Sequence, residues 1–137
     1  MTAVVLDSEA FLTLARAASP GGRKLRAALS AAYATTTDVV VPAAVLAELY
    51  RGGPHDQVVD SYLGRDTGIV VADTTRQLAR RIGNVLARAG RGSRDHVDAT
   101  VVAAAIQAGG GVILTGDPDD INALASGLVG LTVEALN

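Results

Sequence analysis

Four acids stand where solvation alone does not explain a carboxylate: Asp7, Glu48, Asp98 and Asp117. Asp7 ends the apolar run AVVL, and Asp117 follows the run GVILT across a short turn. Asp98 opens a stripe in which Val101, Val102, Ala105 and Ile106 come three, four, seven and eight residues later, the spacing of one helix face. Glu48 lies beside Ala44, Val45 and Leu49 on what reads as another helix. A charge on an apolar face is costly unless it is paired. Carboxylates about 4 Å apart repel by about 4 kcal/mol per pair at an effective dielectric near 20. The nearest cations in sequence, Arg51 and Arg94, are too few for four acids. The acids are therefore expected to bind metal, and an oxygen-only donor set without His or Cys suits Mg2+ or Mn2+. The plainer alternative is a set of helix caps and surface ion pairs.

The other acids and the histidines carry less. Asp95 reads as the N-cap of the helix that holds Asp98. Asp119 and Asp120 follow Pro118 at the opening of a helix, where the macrodipole favours negative charge, and Glu9 in a first turn reads the same way. His96, about 160° around its helix from Asp98, points away from the acids. His55 lies in a Gly/Pro loop and reads as a surface residue.

These side chains need a scaffold, and the hydrophobic periodicity supplies one. Residues 3–6 read as a strand, and Ser8 as the cap of a helix that buries Phe11, Leu12, Leu14 and Ala15. Pro20 and Gly21 break the chain before a second helix marked by Leu25, Ala28, Leu29 and Ala32. Asp38 and residues 39–41 give a second strand, and Pro42 starts a third helix that runs to about Arg51, where Gly52 and Gly53 stop it. A short helix is expected around 55–63, a third strand over 68–72, and then a long helix capped by Asp73 or Thr74. Leu78, Ile82, Val85, Leu86 and Ala89 form its buried stripe; Arg80, Asn84, Arg88 and Arg91 lie on the other face. Residues 95–108 read as helix, 111–115 as a fourth strand, and a short helix and a last strand near 128–133 close the chain. Alternating strands and helices imply a parallel α/β sheet covered on both faces. In such sheets ligands gather at the carboxyl ends of the strands, where Asp7 and Asp117 fall.

At 137 residues the chain reads as one domain, 1–137, with a finely packed aliphatic core: 49% of residues are hydrophobic and only 3% aromatic. Without cysteine, disulfide frameworks, thiolate metal sites and thiol nucleophiles are excluded. No basic leader precedes AVVL, and no segment approaches the ~18 apolar residues that span a bilayer, so a soluble, cytoplasmic protein is expected. The net charge is −2, yet Arg76, Arg80, Arg81, Arg88, Arg91 and Arg94 fall within one acid-free stretch. That stretch is either a solvated helix face or a track for nucleic-acid phosphates. There is no phosphate-binding Gly-rich motif and no G-x-S-x-G elbow. A receiver domain shares the βαβ pattern, but the chain's one lysine, Lys24, is in the wrong place for it.

Four blocks together resemble the PIN domain, and within it the VapC-type toxin ribonucleases of bacterial toxin-antitoxin pairs: VVLDSEAF, VPAAVLAELYRG, DATVVAAAIQAGGGVILTGDPDD and the overall length. The resemblance implies that Asp7, Glu48, Asp98 and Asp117 form the catalytic, metal-holding quartet, with Thr115 as the hydroxyl commonly found before the last acid. Its "DA" selects Asp98 over Asp95, and Gly116 replaces a Ser or Arg often found there. It implies an endoribonuclease, dependent on Mg2+ or Mn2+, that cuts tRNA, rRNA or mRNA in line to leave a 5′-phosphate and a 3′-hydroxyl. It also implies a homodimer and a cognate VapB-type antitoxin, for which Phe11, Leu12, Leu14, Ala15 and Leu29 are candidate interface residues. With no Trp, one Phe and three Tyr, RNA shape should count for more than base stacking. The alternative is a non-catalytic cation-binding or receiver-like module.

Overall fold

The computed structural model describes residues 2–16 and 18–136, with the side chain of Arg65 excepted. Strand β1 (Ala3–Leu6) leads into α1 (Ser8–Thr13), α2 (Pro20–Ala34), β2 (Asp38–Pro42), α3 (Ala43–Leu49), α4 (Gly53–Ser61) and β3 (Ile69–Ala72). Then come α5 (Arg76–Ala89), α6 (His96–Gln107), β4 (Gly111–Thr115), α7 (Pro118–Ala125) and β5 (Leu131–Ala135). The strands form one sheet in the order β3-β2-β1-β4-β5, and every neighbouring pair is parallel. Parallel neighbours need crossovers, and here each crossover carries helices that cover a face of the sheet.

The pleat of β1 shows the layering. Ala3 and Val5 face one core together with Val41, Val45, Val101 and Ile113. Val4 and Leu6 face the other, against Leu25, Ala32, Val39 and Leu114. All four residues of β1 are buried, which is why the strand is apolar throughout rather than alternating. Helix α6 is buried from Ala99 through Ala105, and its alanines let it lie close on β1, β2 and β4. The hydroxyl of buried Thr100 is satisfied by donating to the His96 carbonyl at 2.8 Å.

Register brings the ends of the two central strands level, with Ala3 opposite Gly111 and Leu6 opposite Leu114. At Gly111 φ is +145°, and an added Cβ would fall 1.9 Å from the Ala3 carbonyl oxygen, so only glycine can start β4 in this register. From β1 the chain lays β2 and β3 to one side, then returns to lay β4 and β5 on the other. The order therefore reverses between β1 and β4, and the crevice beyond their carboxyl ends is the switch point of the sheet. A receiver-like sheet, ordered 2-1-3-4-5, would put β3 beside β1. Here β4 holds that place, which removes the receiver-like alternative.

Several local expectations need correction. Pro20 does not break the chain: it occupies the first turn of α2, where its missing N–H is not needed, behind Ser19 as N-cap. Asp7, not Ser8, caps α1. Pro42 ends β2 and precedes α3, and α3 stops at Leu49 rather than Arg51. Thr75, not Asp73 or Thr74, caps α5, its hydroxyl accepting from the Leu78 N–H at 3.1 Å. The last strand lies at Leu131–Ala135, beyond the expected 128–133, because it pairs in register with all of β4. Phe11 is 1% exposed and packs edge-on against Tyr62 at 6.1 Å between ring centroids, so it is core rather than free interface. Leu12, Leu14 and Leu29 are partly buried and Ala15 is exposed. No described helix is long and apolar enough to cross a membrane.

Candidate metal centre at the switch point

Asp7 leaves β1 with its N–H still donating to the Leu114 carbonyl of β4, at 3.3 Å. Its side chain turns across the start of α1. One carboxylate oxygen accepts from the Ala10 N–H at 2.8 Å, and the other from the Gly116 N–H at 3.2 Å. The Thr115 hydroxyl also bonds the Asp7 carboxylate. Burial raises the Asp7 pKa above its ordinary 3.8, and these three donors pull against that rise. A buried carboxylate fixed at both oxygens is rigid, with lone pairs left over for a cation.

Thr115 is fully buried and joins the two central strand ends. Besides its bond to Asp7, its oxygen accepts from the Asp117 N–H at 2.8 Å. Gly116 lies between them, and an added Cβ there would fall 2.3 Å from Cγ of Glu9. Glu9 thus folds over the turn, into the space a side chain at position 116 would need. Glu9 also pairs with Arg16 at 3.7 Å.

Asp117 is the N-cap residue of α7, but its carboxylate makes no capping hydrogen bond. It turns instead toward Asp98 and Asp120, and one oxygen from each of these three lies within 4.8 Å of the other two. No other trio of acids or histidines among the described residues meets that spacing. The Asp98 pKa is pushed up to about 6, first by burial and then by the charges of Asp117, Asp120, Asp7 and Glu48. Asp120 is also raised, chiefly by its carboxyl contact with Asp117. Only two ion pairs occur among the described residues, Arg16–Glu9 and Arg91–Asp95 at 3.6 Å, and neither neutralises the trio.

The predicted acids are thus placed unequally. Asp98 and Asp117 are in the close cluster; Asp7 adjoins it, held by its own donors. Glu48 is exposed, contrary to its expected apolar face, though its charge is felt at Asp98. Asp95 occupies the N-cap position of α6 without a capping bond, because its backbone belongs to a preceding 3-10 turn (Ser93–Asp95) and its carboxylate pairs with Arg91. Asp119 is exposed, and His55 and His96 are exposed as expected.

Asp120 is the addition that sequence reasoning missed. The available signal was its place three residues after Asp117, which shares a helix face, whereas Asp119 does not. Helix α5 packs on α6 and α7, and its Arg76, Arg80 and Arg88 are exposed. Arg91, just beyond its end, lowers the proton affinity of Asp120. The assembly offers a hard, anionic, oxygen-only cradle with Arg91 near its edge. Such donors fit a divalent cation such as Mg2+ or Mn2+ and offer nothing to a soft metal.

Comparison with known protein families matches residues 4–126 to the PIN domain. No curated protein matches the chain.

Proposed function

The chain belongs to the PIN domain family, and from that premise we propose that it is a metal-dependent endoribonuclease and the toxin of a toxin-antitoxin pair, acting as one domain over 1–137. Membership implies nuclease activity in general, with a divalent metal at an acidic cluster. The observation that carries the finer reading is the convergence, at the switch point of the sheet, of carboxylates that no described ion pair neutralises, with Arg91 near Asp120.

In this reading Asp7, Asp98 and Asp117 hold the ion, and Glu48 orients a water or ligand from the rim. A bound Mg2+ or Mn2+ would offset charge at the scissile phosphate and acidify a water for in-line attack. The protein's part is pre-organisation. Thr115 and the Ala10 and Gly116 N–H groups lock Asp7, so little reorientation is needed when the ion binds. Asp98 binds in its ionised form, so binding would release protons near its raised pKa. Arg80, Arg88 and Arg91 attract the RNA backbone and set its path without reading bases. A homodimer would align two such sites, and a VapB-type antitoxin would cover them.

The test is direct. Purified full chain incubated with structured tRNA and rRNA fragments and MnCl2 or MgCl2 should yield 5′-phosphate ends, and Asp98→Asn or EDTA should abolish cleavage. Cleavage that survives either would refute the site. Induced expression should arrest bacterial growth for the wild type and not for Asp98→Asn; growth unaffected by an enzyme active in vitro would refute the toxin role.

A further inference from the structure

Helix α5 keeps one face for the core and one for solvent. Leu78, Ile82 and Val85 are buried, while Arg76, Arg80, Asn84 and Arg88 follow one another at four-residue intervals on the other side and are all exposed. No described ion pair includes Arg76, Arg80 or Arg88, and residues 74–94 contain no acid. Arg88 stands in the last turn, where the macrodipole favours a cation. Arg76 and Arg80 stand near the start, where the dipole opposes them and no first-turn acid offsets them, so the stability of the helix does not account for these two. The stripe also has a direction. Two residues past the end of α5, Arg91 acts on Asp120, and Nη2 of Arg88 lies 3.2 Å from where a Cβ at Gly127 would fall, in the turn after α7. The C-terminal end of α5 therefore meets the carboxylate centre, and at 1.5 Å per residue Arg80 and Arg76 stand about 12 and 18 Å farther back along the axis than Arg88. None of the large apolar side chains exposed among the described residues is on α5, so this face lacks the anchor of a protein interface and suits a polyanion.

We infer that Arg76 and Arg80 bind backbone phosphates of RNA well beyond the bond being cut, so that the preferred substrate is an RNA whose chain continues along α5 rather than a short fragment. Guanidinium groups this far from the centre do not touch the reacting phosphate; they hold the flank and read its reach, not its bases. This rests on the proposed ribonuclease reading and gives the arginine track a far end.

The experiment measures binding of the full chain in EDTA, where cleavage does not intervene, by fluorescence anisotropy of a labelled structured tRNA fragment over a KCl series. Wild type is compared with Arg76→Gln/Arg80→Gln and with Arg23→Gln/Arg26→Gln, which removes the same charge from exposed positions on α2; folding of each is checked by circular dichroism. The α5 variant should bind the fragment at least tenfold more weakly and flatten the salt dependence by about 1–2 in log–log slope, the share of two phosphate contacts. The α2 variant should lose less than twofold. An RNA of about four nucleotides, the lower end of single-strand site sizes, should separate the α5 variant from wild type by less than twofold. An α5 variant that binds the tRNA fragment within twofold of wild type overturns the inference. So does equal weakening by both double variants, because net charge would then explain both, and so does an equal loss on the short RNA, because reach would then play no part. A wild type that leaves the tRNA fragment unbound also overturns it, whereas one that binds the fragment but does not cleave it with MnCl2 overturns the ribonuclease reading instead.

Discussion

Removing the charge at Asp98 should make the metal-free protein more stable, although the residue is proposed to be essential for cleavage. Burial and four neighbouring acids raise its pKa from 3.8 to about 6. At 1.36 kcal/mol per pH unit the rise corresponds to about 3 kcal/mol, and because the side chain is part-exposed, solvent screening reduces this to about 1–2 kcal/mol. The sign follows from the direction. A folded pKa above the unfolded value means that the neutral form is favoured by the fold, so the penalty is absent below about pH 4 and grows as pH rises through about 6. Asp98→Asn mimics the neutral form at every pH. In EDTA at pH 7.5 the variant should melt about 3–8 °C above wild type for a chain of this length, and at pH 4 the two should nearly coincide. Adding millimolar Mn2+ should raise the wild type and close the gap, since a ligand of the native state alone stabilises it. Scanning fluorimetry over a pH series with and without MnCl2 measures all of this. A variant no more stable than wild type at pH 7.5, or equally stabilised at pH 4, would refute the reasoning.

Two further substitutions test the scaffold. Gly116→Ala forces a Cβ into Glu9 and should cost about 1–3 kcal/mol in urea unfolding; in a Glu9→Gly background the cost should fall by more than half, and an unchanged cost would mean that Glu9 is not the obstacle. Phe11→Ala should cost about 3–5 kcal/mol because the ring is fully packed, whereas Ala15→Asp, at an exposed position, should change stability by less than about 0.5 kcal/mol; a cost below about 1 kcal/mol for Phe11→Ala would return that ring to the candidate interface.

Much of the scaffold was legible because buried parallel strands leave a strong mark in AVVL, VVV and GVILT; GIVVA was as legible from its apolar run, although β3 lies at the sheet edge and leaves Val70 and Val71 exposed. The helix stripe of Leu78, Ile82 and Val85 was equally plain. What escaped was decided by tertiary contact. Ser8 and Asp7 are both competent caps, and the choice of Asp7 depends on the Gly116 N–H, 109 residues away. Phe11 reads the same whether it meets solvent, a partner or Tyr62. Asp120 looked like a helix-start acid, and it is one, yet the packing of α7 on α6 also turns it onto Asp98. Glu48 was misjudged for the converse reason: neighbours in sequence were apolar, but its own direction leads outward.

The bond between Gly116 and Asp7 has a consequence in time as well as in space. It ties Asp7, ahead of the other acids of the centre in chain order, to the turn that follows β4, and Asp7 finds its second anchor only after β4 has inserted beside β1. A chain still emerging from the ribosome, or one clipped before residue 111, keeps Asp7 and Glu48 but lacks Thr115, Asp117 and Asp120. For a protein proposed to cut RNA, the order of synthesis is itself a safety interval, because the centre cannot be completed until the turn after β4 has been made.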